Sequence, residues 1–314
     1  MSVLIKNDLA TRRLYATDAS VYEELPESVA FPKNTEECIS LVKDATKNKT
    51  PLIFRAAGTS IAGQCVGGGQ VVDVSRFLTG ILGEPSGNQI RVQSGVIHSD
   101  LDCFLKPFGL KFAPEISTSN RCMIGGMIGN NAAGSHSVVY GTTREHVIAI
   151  EALLSNGSVV EFGPLTDDEL SAKCALLTLE GEIYRTVTGV INQHRGQILK
   201  RYPKPEIIRR NTGYPLDVLA KGQPWVKSGP LFNLAPFLCG SEGTLAFTLS
   251  ATLKLVEIPK AKGLSCIHFS SLDEAMVATP VILKHQPAAI ELMDKRLLAL
   301  TENHIVHRRN RQWI

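Results

Sequence analysis

Apolar residues along this chain recur with two periods, close to two in some stretches and close to 3.6 in others, and the changes of period mark its elements. Asn34 is placed to cap a helix over 36–48, with Glu37 completing a capping box and Ile39, Val42 and Ala45 on the apolar face. Pro51 ends it, 52–54 reads as a short buried strand, and 71–74 as another. Residues 91–96 alternate as a strand, 99–108 repeat as a short amphipathic helix, and 110–112 are strand before Pro114. Ser155-Asn156-Gly157 separates two apolar runs, 147–154 and 158–162, and Asn-Gly in that setting predicts a hairpin. Helical spacing over 180–200 brings Ile183, Val187, Val190, Ile191 and Ile198 together, with Pro203 and Pro205 as the stop. Residues 209–230 carry Gly and Pro throughout and read as loop with a short helix at 216–220, whereas 244–256 is one long alternating strand. Past a boundary at 259–263 the pattern predicts strand 264–269, helix 271–285, strand 288–293 and the start of a helix at 294–300. Antiparallel pairing mixed with helices predicts an α+β fold. The first domain is expected over 1–258 and a second over 259–314, the latter incomplete, because fewer than about 60 residues are marginal as a domain.

Three stretches do not fit a core pattern. Residues 55–69 (RAAGTSIAGQCVGGG), 114–147 (including IGGMIGNNAAGSHSVVYG) and 239–246 (CGSEGTLA) are rich in Gly, Ala, Ser and Asn. Gly125, Gly126, Gly129, Gly134 and Gly141 in one span predict either positive φ or a backbone that approaches a ligand closely. Hydroxyls and unblocked N–H groups in such loops suit a diphosphate, since a hydrogen bond to a charged oxygen is worth roughly 1.5–3 kcal/mol. Neither a Rossmann fingerprint nor a P-loop is present: GxGxxG is missing, the strand at 71–74 follows too soon for a crossover helix, and no GKS or GKT occurs.

The remaining composition narrows the field. With a net charge of +3 over 314 residues and no basic stripe interleaved with aromatics, nucleic acid is not an expected partner. The N-terminus lacks a signal-peptide run and no apolar stretch is long enough to span a bilayer, which points to the cytoplasm, at most peripheral to the inner face of a membrane. Seven cysteines stand singly with no CxxC, against a disulfide framework or a metal site; reduced, mostly buried thiols are expected.

Taken together, RAAGTSIAGQ at 55–64, IGGMIGNNAAGSHSVVYGTTREHV at 124–147, CGSEGTLA at 239–246 and AIELMD at 289–294 resemble the vanillyl-alcohol oxidase / p-cresol methylhydroxylase family, in its branch of FAD-linked D-lactate and glycolate dehydrogenases. The resemblance covers roughly 20–295, with four motifs in the family's order. It implies a two-lobed FAD-binding domain with FAD extended between the lobes, followed by the start of an α+β cap. By the same resemblance Ala57, Gly58, Thr59, Ser60, Gly63 and Gln64 wrap the diphosphate, and Pro114, Thr118, Ser119, Gly125, Gly126, Asn130, Ala132, Ala133 and Gly134 line the diphosphate, ribityl chain and ring. Val147 meets the adenine through its backbone, and Gly240, Glu242 and Gly243 close the site. The implied reaction is oxidation of a D-2-hydroxy acid, D-lactate or glycolate-like, with electrons passed to an external acceptor of the iron–sulfur, cytochrome or quinone kind.

The chain departs from that pattern. Ala56 and Ala57 stand where the family often has glycines, so positive φ is not expected there, and Thr59 stands where covalent members place His, so FAD is expected to dissociate by that route; a link through another His stays open. No histidine-bearing GDGN-type motif occurs before Ile314, so a base and a carboxylate clamp are not identified, and a flavin-binding module or subunit without turnover is the alternative. His136 is either the catalytic group or a residue that fixes backbone carbonyls, and Glu242 either a base or an acceptor of N–H groups in its own turn. Arg209 and Arg210 face the active site or the solvent, and the HxxH of His304 and His307 is a weak candidate for a metal pair.

Overall fold

The computed structural model describes residues 3–313 apart from 205, 208, 209, 211 and 212. Its strands are β1 (Leu4–Lys6), β2 (Ser28–Phe31), β3 (Leu52–Arg55), β4 (Gln70–Asp73), β5 (Gln89–Gln93), β6 (Leu110–Lys111), β7 (Val147–Leu153), β8 (Val159–Phe162), β9 (Phe247–Lys254) and β10 (Val256–Glu257). The helices are α1 (Leu9–Leu14), α2 (Thr35–Asn48), α3 (His98–Leu105), α4 (Ile124–Asn130), α5 (Ser137–Tyr140), α6 (Asp167–Ala175), α7 (Leu179–Arg201), α8 (Leu216–Ala220), α9 (Ala235–Leu238), α10 (Leu272–Leu283) and α11 (Lys295–Leu300).

The fold is α+β and built on two four-stranded sheets. The first has the order β1-β2-β4-β3, with β4 parallel to both neighbours and β1 antiparallel to β2. Its central strands bury Val29, Ala30, Val71 and Val72, the continuous apolar run expected of strands covered on both faces. The second sheet, β5-β9-β7-β8, is antiparallel throughout. Its β7–β8 hairpin turns at Asn156-Gly157 as the sequence predicts, Gly157 taking φ 82°. The largest core lies in this second lobe, where Tyr184, Ile191 and Ile198 of α7 pack with Phe112, Ile150 and Phe232. A smaller cluster of Cys38, Val42, Val74, Leu153, Phe247 and Leu249 ties the lobes together, and Phe54 stacks on Phe247 across the junction at 3.8 Å.

Several expectations are revised. Glu37 Oε2 accepts from the Lys33 N–H at 2.9 Å, one residue before the position a capping box requires, while Asn34 caps as foreseen. On α7 the buried stripe runs through Tyr184, Ile191 and Ile198, seven apart, which leaves Val190 at its edge and 37% exposed. The strand predicted over 244–256 breaks at Leu255: β9 stays in the second sheet and β10 pairs with β6. Neither 264–269 nor 288–293 forms a strand, because an alternating run is only a strand when a neighbour supplies the ladder, and among the described residues none pairs with them. The principal correction concerns 124–130. Its three glycines conceal a helix, α4, whose Ile124, Met127 and Ile128 sit at i, i+3, i+4 and join the main core.

Candidate functional site

Between the lobes runs a cleft of about 730 Å³. Three segments far apart in sequence supply its walls: residues 56–65 from the connection after β3, 116–133 around α4, and 238–248 leading into β9. The first wall exists because β3 and β4 are parallel neighbours joined by a connection without a helix, over residues 56–69. Parallel strands need a crossover of about a dozen residues or more, normally helical; here the crossover is spent as a loop over the cleft. Positive φ falls on Gly58 (65°) and Gly63 (77°) and on neither Ala56 nor Ala57. Among the described residues, the N–H groups of 57–61 donate to no main-chain carbonyl, so they are available to a ligand at the wall.

The second wall is α4. Gly125 lies against Ser94, whose carbonyl accepts the Gly125 N–H at 2.7 Å, and a Cβ on Gly125 would stand 2.6 Å from the Ser94 Cβ. A Cβ on Gly126 would meet only the Ala56 side chain, at 3.4 Å, so this part of the cleft floor is bare backbone. None of Gly125, Gly126, Gly129 and Gly134 has positive φ; of the five glycines singled out, Gly141 alone does, at 75°. Close approach, not unusual backbone, is what Gly125 and Gly134 require, whereas a Cβ at Gly126 or Gly129 would meet the protein only at ordinary contact distance, 3.4 and 3.8 Å.

The third wall docks on the end of α4, with the Gly240 N–H on the Ile128 carbonyl and the Glu242 N–H on the Gly129 carbonyl, each at 2.9 Å. Glu242 takes φ 51°, and its Oε1 accepts from Gln64 Nε2 at 3.2 Å, a contact that spans the cleft from first wall to third. Glu242 therefore bonds a side chain 178 residues away in place of N–H groups in its own turn.

Two residues not anticipated from the sequence hold this arrangement. Arg144, buried, donates from Nη2 to the Cys239 carbonyl at 2.7 Å and from Nε to the Pro236 carbonyl at 3.2 Å. Burial pulls its pKa below the ordinary arginine value. Asn131, fully buried with φ 50°, accepts at Oδ1 from the Arg144 N–H and the Thr142 hydroxyl, each at 2.9 Å. Thr142 and Glu145 form a capping box, and that T-x-x-E spacing was a readable signal.

Of the predicted positions, Ala57, Gly58, Thr59, Ser60, Gln64, Thr118, Gly125, Gly126, Asn130, Ala132, Ala133, Glu242 and Gly243 line the cleft. Gly63, Pro114, Ser119, Gly134, Val147 and Gly240 are not among its lining residues. His136 is also outside the lining; its Nδ1 lies 3.1 Å from Glu115 Oε2, itself 3.5 Å from Lys111 Nζ. Arg210 does not line the cleft; partly exposed, it pairs with the fully buried Asp217, while Arg209 lies outside the described residues. His304 Nδ1 is taken by the Val306 and His307 N–H groups at 3.3 and 3.4 Å. Cys65 and Cys122 both line the cleft, and burial pushes each thiol up to about 11, so they present neutral SH groups. Among the described residues Glu242 is the one Asp, Glu, His, Lys or Arg in the lining.

Comparison with known proteins bears on this geometry. Residues 26–163 match the family described as FAD binding domain, and 258–314 match FAD linked oxidases, C-terminal domain. The chain is 36% identical over 301 residues to D-2-hydroxyglutarate dehydrogenase of Escherichia coli (strain K12), covering 95% of this chain and 29% of that protein. It is 26% identical over 285 residues to D-lactate dehydrogenase of Anaerostipes hadrus, with coverages of 89% and 47%. Among solved structures, alkyldihydroxyacetonephosphate synthase superposes with a TM-score of 0.60 at 16% identity, over 91% of this chain and 44% of that one, a likeness of fold. The chain thus spans less than a third of the dehydrogenase it matches at 36% identity. A flavin dinucleotide suits the cleft in three respects: unpaired N–H groups along one wall, a bare glycine floor, and two buried polar atoms, Gln64 Oε1 and Ser94 Oγ, that have no partner among the described residues.

Proposed function

The chain belongs to the FAD-linked oxidases, whose cofactor is FAD, and on that premise we propose that it is the cofactor-binding part of a dehydrogenase of D-2-hydroxy acids. The observation that carries the proposal is the convergence of residues 56–65, 116–133 and 238–248 on one cleft. FAD, when bound, would supply two-electron acceptance, the capacity that oxidation of a D-2-hydroxy acid by hydride transfer from C2 to flavin N5 would need.

The chain's own residues bind and orient. The N–H groups of 57–61 receive the diphosphate, a main-chain cradle that needs no lysine or arginine. Gly126 keeps the floor clear, and the Gln64–Glu242 contact joins the two outer walls across the cleft. Thr59 stands where covalently linked members carry His, so the cofactor exchanges by that route, and a link through another His stays open. The domain division falls at 258/259, with the electron acceptor an iron–sulfur, cytochrome or quinone partner. Since the more similar relative is named for D-2-hydroxyglutarate, that acid is the first substrate to test, ahead of D-lactate and glycolate.

A second reading is favoured by the lining itself. With Glu242 its one ionisable residue other than cysteine among those described, the cleft offers no cation to clamp a substrate carboxylate, as in a module that holds FAD without turnover.

One experiment addresses both. Titrating the FAD-free chain with FAD is expected to give a bound, yellow protein, and Gly126→Val to abolish uptake while leaving the fold intact, because its branched side chain enters the cleft. Failure of the wild-type chain to bind FAD overturns the proposal. Anaerobic bleaching of the bound flavin by D-2-hydroxyglutarate, D-lactate or glycolate supports the dehydrogenase; stable colour with all three supports the module.

A further inference from the structure

We infer that Ser94 is a further cofactor-binding residue, its hydroxyl hydrogen-bonded to a polar atom of the FAD that lies in the cleft; the inference rests on the FAD reading above. Ser94 follows β5 and is 1% exposed. Its main chain is committed on both sides, the N–H to the Leu249 carbonyl at 3.1 Å and the carbonyl to the Gly125 N–H at 2.7 Å. The residue is thereby pinned between β9 and α4, and it lines the cleft. Its Oγ has no partner among the described residues.

Two comparisons within the molecule give that lone hydroxyl its meaning. Ser250, also 1% exposed and on the adjoining strand of the same sheet, donates to Glu151 Oε2 at 2.8 Å and accepts from Arg91 Nε at 3.0 Å. A buried serine in this sheet is thus ordinarily satisfied, as buried polar groups are. Tyr184 is the opposite control. Its hydroxyl also lacks a partner among the described residues, but it is enclosed among Phe162 and Phe232 in the packed core, where no ligand reaches. Ser94 alone of the three combines an unmatched hydroxyl with a wall of the cleft. A hydroxyl serves equally as donor or acceptor, so it matches a phosphoryl oxygen, a ribityl hydroxyl or a ring carbonyl.

The assignment predicts effects of different sign on the two states of Ser94→Ala. FAD affinity, read from quenching of flavin fluorescence on titrating the FAD-free 314-residue chain, is expected to fall roughly three- to tenfold, the worth of one net hydrogen bond. The thermal midpoint of the FAD-free variant is expected to equal or exceed that of wild type, because a hydroxyl without a partner is removed. An unchanged Kd overturns the inference, and so does a lowered midpoint of the FAD-free variant, which would show that the hydroxyl is used within the protein. If wild type binds no FAD, the broader reading fails; if wild type binds and Ser94→Ala binds equally well, only the role of Ser94 fails.

Discussion

The two glycine-bearing walls of the cleft, 56–65 and 124–134, look alike as sequence and are built on opposite terms. In the first, Gly58 and Gly63 hold positive φ, and a Cβ added at either would first meet a side chain, Arg55 or Tyr22. In the second, the glycines sit in ordinary backbone, and a Cβ at Gly134 would lie 1.6 Å from the Glu115 carbonyl oxygen. One wall uses glycine for the conformations it permits, the other for the volume it leaves free. The first is therefore a loop that can adjust around a ligand, while the second is a fixed surface that belongs to the core through Ile124, Met127 and Ile128.

That difference is testable from each side. Gly134→Ala strikes backbone that has nowhere to move, and the expected cost is about 3 kcal/mol of stability, read as a lowered urea midpoint in the FAD-free chain. A loss under about 1 kcal/mol would mean that the 114–118 strand of chain yields, and the fixed-surface reading would go with it. Gly58→Ala is expected to cost less, about 1–2 kcal/mol, the strain of a left-handed residue with Cβ, since what it meets at 2.8 Å is the end of the Arg55 side chain and not backbone, although the Arg55 bond to the Thr17 carbonyl at 2.7 Å must adjust. Its readout is again the urea midpoint, and an effect as large as that of Gly134→Ala would erase the distinction between the walls.

The same contrast explains what was legible in the sequence. Local rules found the β7–β8 hairpin from Asn156-Gly157, the long α7 from its spacing, and α8 inside a Gly- and Pro-rich stretch. They failed at α4, where three glycines in seven residues outweighed an apolar triad at helical spacing. They also failed at 264–269 and 288–293, where alternation promised strands but ladders depend on partners that spacing does not reveal, although α10 and α11 lie where helical spacing placed them. For the site, composition picked out all three walls, because stretches of small residues leave space for something else to fill. What joins the walls was hidden: Arg144 reaches the Cys239 carbonyl and Gln64 reaches Glu242 across intervals that no local pattern spans. Ser94 was invisible for another reason, being an ordinary strand-end serine until the cleft is seen beside it.

Each wall also carries one buried thiol at the cleft, and here the smallest effect is expected. Cys65 belongs to the loop and Cys122 precedes α4, and desolvation raises both from the ordinary 9.0 to about 11. A group whose pKa is higher in the folded chain favours the protonated form there, so its contribution to stability is complete below about pH 9 and is lost as the pH rises through about 11. Thermal midpoints of the FAD-free chain should accordingly decline across that window, and Cys65→Ala and Cys122→Ala should each flatten the decline, whatever each does to the midpoint at neutral pH. The slope is the readout, because either substitution also removes packing. The two thiols need not respond alike once FAD is added: the Cys122 N–H is held by the Thr118 carbonyl at 2.8 Å and its carbonyl by the His98 N–H at 3.0 Å, whereas Cys65 sits in the wall that adjusts. A ligand that draws the loop inward desolvates Cys65 further and steepens its share of the decline, leaving that of Cys122 unchanged. Equal steepening at both positions would show that the second wall moves too.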